Sequence, residues 1–169
     1  MILTESSQII VNSTFQFGDI ISYKTRCKVG IRYKHFAVYV GDVNICGKNA
    51  GEEIYEQASK YKYHGKSCRF SKLLMHEEPE VNNYLDDYTD PLTGETYGKG
   101  DDKEIIKRII ETYQNCRIYG ILHNNCEHIA TYVRYGVRVA VQVCGSFSLN
   151  SRTGYCLEMQ KENNASDLS

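Results

Sequence analysis

The first part of this chain alternates apolar and polar positions in short runs. Residues 19–24 (DIISYK), 35–40 (HFAVYV), 53–58 (EIYEQA) and 67–73 are rich in β-branched and aromatic side chains and end at polar, glycine-containing turns, so they predict strands of an antiparallel meander. The period then changes. Asp101 with Glu104 three residues on is a capping-box arrangement, and Ile105, Ile106, Ile109, Ile110 and Tyr113 follow at helical spacing. A second helix is predicted from about Cys126, capped by Asn124 or Asn125 and stopped by Gly136. Val137, Val139, Val141 and Val143 alternate and predict one more strand. Between these elements, residues 25–34 read as a basic loop, 77–100 as a long surface loop with both prolines, and 117–122 as a short strand or turn. Residues 1–14 are a loose lead-in and 150–169 a polar, disordered tail, which leaves one domain over 15–149.

Composition adds exclusions. Of 169 residues, 41% are hydrophobic and 24% charged, as in globular proteins, and a net charge of −1 gives no global basic excess to attract nucleic acid. No run of 18 uncharged apolar residues writes a transmembrane helix. The opening MILTESSQII has no basic flank before an apolar run, so a cytoplasmic chain is expected. The seven cysteines are odd in number and none forms a C-x-x-C pair; in a reducing compartment they are expected as free thiols, with no metal site and no cofactor.

Cys126 is the one cysteine whose setting suggests chemistry. The first turn of a helix presents unpaired N–H groups and the positive end of the dipole, which favour thiolate over thiol. Ile129, Ala130 and Val133 share its helix face, so the sulfur points toward the sheet. Spacing alone leaves two readings, a nucleophile or one more core cysteine. His128, two residues on, points away from Cys126 and reads as a surface or capping side chain. A base must come from elsewhere in the fold. His35 opens a strand and shares a face with Ala37, whose small side chain leaves room beside the imidazole; it reads as that base or as a structural histidine. His64, His76 and His123 lie in polar stretches and read as solvated.

Four blocks, in order over residues 15–136, carry a family resemblance. Residues 17–21 (FGDII), 35–42 (HFAVYVGD), 81–87 (VNNYLDD) and 125–136 (NCEH through RYG) resemble the motifs of lecithin:retinol acyltransferase and the HRAS-like suppressor phospholipase A/acyltransferases. The resemblance implies an α+β fold of permuted NlpC/P60 (papain-like) type, an antiparallel sheet packed against helices. It implies a thiol enzyme acting as phospholipase A1/A2 and acyltransferase on a phospholipid acyl donor. Cys126 would be the nucleophile, forming a thioester, and His35 the general base. Water, an amine or a hydroxyl would be the acceptor. The Cys126 backbone N–H, supported by Asn125, would steady the oxyanion.

This sequence also departs from the family pattern. The family's third polar residue, most often histidine, aligns with Glu56; strand alternation allows only one of Glu56 and its neighbour Tyr55 to serve. Phe36 replaces a tryptophan. Residues 137–143 are too short and polar to span a bilayer, so membrane contact would be transient and peripheral. Arg26, Lys28, Arg32 and Lys34 before His35, and Lys60, Lys62, Lys66, Arg69 and Lys72 after Glu56, could meet anionic headgroups or simply be solvated. The alternative reading is a catalytically silent relative of the viral H-box/NC type that works by binding protein, with RNA ranked below it.

Overall fold

The computed structural model describes residues 15–24, 26–28, 31–58, 67–91, 93–116 and 125–140. Seven strands and two helices occur in these segments: β1 (Ile20–Ser22), β2 (Arg26–Lys28), β3 (Ile31–Tyr33), β4 (Phe36–Tyr39), β5 (Ile54–Gln57), β6 (Cys68–Ser71), β7 (Glu80–Val81), α1 (Asp102–Gln114) and α2 (Cys126–Tyr135). Five strands form one antiparallel sheet in the order β6-β5-β4-β1-β7. The expected meander is therefore present, in an α+β fold with two helices.

Strand alternation divides the sheet into two apolar layers. Ile20, Phe36, Val38, Tyr55 and Phe70 pack with Ile105 and Ile109 of α1 and with Ile129, Ala130 and Val133 of α2. The opposite face gathers Ile21, Tyr23, Ala37 and Ile54 with Phe15, and Leu73, just after β6, packs on it. Since β6 and β7 lie at opposite edges, the connection between them crosses this second face.

The helix ends match the sequence. Asp101 Oδ1 accepts from the Glu104 N–H at 2.8 Å, and Glu104 Oε2 accepts from the Asp101 N–H at 3.2 Å. Asn125, not Asn124, caps α2: its Oδ1 accepts from the N–H groups of Glu127 (2.9 Å) and His128 (3.2 Å). Gly136 closes α2 with a φ of 79°, a left-handed cap that side chains disfavour.

Several expectations need correction. Residues 25–34 hold the two-stranded pair β2–β3 where a loop was expected. The stretch 77–100 is no mere surface loop: β7 pairs with β1, and Leu85, Asp90 and Tyr97 are buried. Residues 137–140 form no strand. Val139 instead folds back on α2, its N–H and C=O both bonded to the Thr131 hydroxyl at 3.0 Å, so this valine serves a helix-side contact. Cys68 and Cys116 are joined in a disulfide that ties β6 to the end of α1, against the free-thiol expectation. Residues 1–14, 117–122, 141–143 and 150–169, with the readings placed on them, lie outside the described residues.

One buried polar network locks these parts together. The Arg134 guanidinium donates to both carboxylate oxygens of Asp86 (3.0 and 2.7 Å) and to the Gly18 carbonyl (2.8 Å), and lies 3.3 Å from Asp19 Oδ1. Asn83 donates to that same Asp19 oxygen at 2.9 Å and accepts from the Ile20 N–H at 2.9 Å. Replacing Arg134 by Met would leave Asp19 buried without its cation. Because Asp86 is partly exposed, the expected loss sits near the low end for a broken buried pair, about 3 kcal/mol. Urea unfolding checks this: a midpoint equal to that of the parent chain would show that the network contributes nothing.

Candidate active site

The sulfur of Cys126 sits at the first position of α2, where the Asn125 cap turns the chain into the helix. The residue is 3% exposed, and its Sγ lies 4.0 Å from the Lys34 carbonyl oxygen. That carbonyl immediately precedes His35, so the packing of α2 on β4 brings together two side chains that are 91 positions apart (126 − 35). The His35 ring hydrogen-bonds Glu56 through Nε2, and Cys126 lies close enough to help raise the His35 pKa. Tyr23, just after β1, stacks on the ring, with centroids 5.8 Å apart and planes 17° from parallel.

Glu56 comes from β5, in register with Ala37 of β4 and Arg69 of β6. It is 5% exposed and fully engaged. Oε2 meets His35, while Oε1 accepts from Arg69 Nε (2.7 Å), Arg69 Nη2 (2.5 Å) and Ser71 Oγ (2.8 Å). Burial acts to raise the carboxyl pKa. The His35 hydrogen bond and charge, the Arg69 charge and the Ser71 hydrogen bond outweigh it and bring the value down to about 2. For His35, burial acts to lower the pKa, and the hydrogen bonds and charges of Cys126 and Glu56 overcome it, raising it to about 10.

The other sequence candidates fall elsewhere. Tyr55, the alternative to Glu56, points to the helix side, where its hydroxyl donates to Thr112 at 2.9 Å. His128 caps α2 as expected, yet it is buried, against the surface reading. His76 is exposed; His64 and His123 lie outside the described residues. Arg26, Lys28 and Arg32 belong to the β2–β3 pair and Lys34 adjoins His35; Lys60, Lys62 and Lys66 are not among the described residues. Arg69, read as either a headgroup contact or a solvated cation, turns to Glu56 instead. Antiparallel pairing of two adjacent strands puts such residues opposite one another, a signal readable only once the register is known. Glu127, beside the nucleophile candidate, is buried and accepts from the Tyr84 hydroxyl at 3.0 Å. Among the described residues, no group of three or more His, Cys, Asp or Glu is placed to hold a metal ion, and no helix is long and apolar enough to cross a membrane.

A family model described as lecithin retinol acyltransferase matches residues 13–139. The chain is similar to phospholipase A and acyltransferase 2 of Homo sapiens, 30% identical over 123 residues, which cover 68% of this chain and 70% of the relative. Phospholipase A and acyltransferase 1 of Homo sapiens is 32% identical over 117 residues, covering 65% of this chain and 64% of that one. Lecithin retinol acyltransferase of Mus musculus is 25% identical over 140 residues, 77% of this chain and 58% of the relative. No solved structure matches the chain.

The paired shifts make stability depend on pH in a definite sense. The lowered Glu56 value contributes stability that is present above its ordinary 4.5 and lost as pH falls through about 2. The raised His35 value contributes stability that is full below its ordinary 6.5 and lost as pH rises through about 10. The pair therefore stabilises most between pH 4.5 and 6.5. In thermal unfolding across pH 2–10, the advantage of the parent chain over Glu56→Gln should peak in that window and shrink on both sides. An advantage independent of pH would contradict the pairing.

Proposed function

The chain belongs to the lecithin retinol acyltransferase family, and from that premise we propose that it is a cysteine-dependent phospholipase A1/A2 and acyltransferase acting on glycerophospholipids. The observation that carries the reading is a thiol at a helix start, its sulfur 4.0 Å from the carbonyl next to His35, whose imidazole a buried carboxylate holds.

In this mechanism His35 holds the proton and Cys126 attacks the ester carbonyl as the thiolate. The N–H groups of Glu127 and His128 are committed to the Asn125 cap, so the developing oxyanion is assigned to the Cys126 N–H, and Asn125 serves by fixing that turn. As the tetrahedral intermediate collapses, the C–O bond of the ester breaks and His35 gives its proton to the leaving lysophospholipid alkoxide. The acyl group remains on Sγ as a thioester. Water, an amine or a hydroxyl then takes it, giving hydrolysis or transfer. Glu56 keeps the imidazole oriented throughout. Contact with the membrane is peripheral and transient.

Incubation with phosphatidylcholine vesicles should release fatty acid and lysolipid, and rapid quenching should reveal an acyl mass on Cys126. Cys126→Ala should abolish the adduct and lower turnover by about 10³-fold or more. Turnover unchanged in that variant would remove Cys126 from the reaction. A parent chain that forms no adduct and releases no product would favour the silent, protein-binding reading.

A further inference from the structure

Glu56 stands where the family resemblance expects a polar residue, most often histidine, and a carboxylate there brings a difficulty. During acylation the sulfur carries negative charge and a protonated His35 is what the chemistry needs. Once the acyl group is attached, the sulfur is neutral. His35 must then be unprotonated to accept a proton from the attacking water, while Glu56, bonded to Nε2, favours keeping the ring charged. The groups facing the ring are Tyr23 just after β1, Glu56 from β5 and Cys126 from α2; behind Glu56 stand Arg69 and Ser71 from β6.

We propose that Arg69 is a positioning residue that acts through Glu56, offsetting the carboxylate charge so that His35 can shed its proton in the second half of the reaction. The proposal rests on the Cys126–His35 mechanism above. Two guanidinium nitrogens lie against Oε1, at 2.7 and 2.5 Å, and leave Oε2 to His35. Ser71 also holds Oε1, at 2.8 Å, so the orientation of Glu56 survives loss of Arg69 while the compensating charge does not. In the step concerned, His35 takes a proton from water and the water oxygen bonds to the acyl carbon. The C–S bond breaks, a carboxylic acid leaves, and Sγ departs as thiolate to face the protonated ring.

The test separates this inference from the mechanism it rests on. In the full chain carrying Cys126→Ala, which mimics a sulfur without charge, the His35 ring is titrated by NMR. Adding Arg69→Gln should move the titration to higher pH by about one unit, and Arg69→Met should do the same, whereas Arg69→Lys should leave it within a few tenths. A merely structural role would lower the urea midpoint without this shift; no movement, or a downward one, in the neutral variants overturns the proposal. With Cys126 intact and phosphatidylcholine vesicles as substrate, Arg69→Gln should raise the steady-state share of acylated chain several-fold while adduct formation keeps its rate. An equal share would also overturn the proposal. Absence of any adduct in the parent chain counts against the enzyme reading alone, and the NMR result still decides the role of Arg69.

Discussion

Glu56 carries a carboxylate into a five-stranded sheet at 5% exposure, and such a burial is tolerable only because donors from both neighbouring strands converge on it. His35 approaches from the β4 side; Arg69 and Ser71 approach from β6. The site and the sheet register are therefore one constraint. Sliding β5 by a single residue would turn Glu56 into the helix-facing core and bring Tyr55 out of it. The charge that orients the imidazole thus also selects the pairing that presents the imidazole to the sulfur.

The residues that make the family easiest to recognise work mainly as scaffold. Gly18 and Asp19 before β1, Asn83 and Asp86 after β7, and Arg134 near the end of α2 are far apart in sequence, yet they make one network centred on the buried Arg134 and Asp19. Its effect is to clamp α2 against the sheet from the end opposite Cys126. At the near end, Asn125 and His128 close the cap, and Glu127 reaches Tyr84. Both ends of a ten-residue helix are pinned, and the position of Cys126 relative to β4 follows from that pinning.

Local patterns made much of this legible from sequence. The Asp101 and Asn125 caps, the isoleucine spacing of α1 and the alternation of residues 35–40 each concern neighbours within a few positions, where propensity and period decide the outcome. The features that escaped are those set by register or by long-range contact. Arg69 looked like a surface cation because nothing local shows that it stands opposite Glu56. β7 is two residues long and exposed, too short for any period to register. The Cys68–Cys116 bond joins residues 48 apart that meet only after β6 packs beside α1. Alternation failed at residues 137–140 because the chain there turns back on α2, where a valine can face inward without any strand partner.

A carboxylate at position 56 carries a physical consequence. A neutral third member can sit in a sheet on hydrogen bonds alone, and it leaves the pH behaviour of the adjacent histidine close to ordinary. A carboxylate costs far more to desolvate and recovers that cost by holding a proton on its neighbour, which favours one half of a two-step acyl transfer at the expense of the other. Adding a cation to the carboxylate's free oxygen meets both problems together: it lowers the burial cost and weakens the grip on the proton. Glu56 and Arg69 therefore act as one unit spread over two strands, the cation offsetting the charge that the carboxylate carries into the sheet.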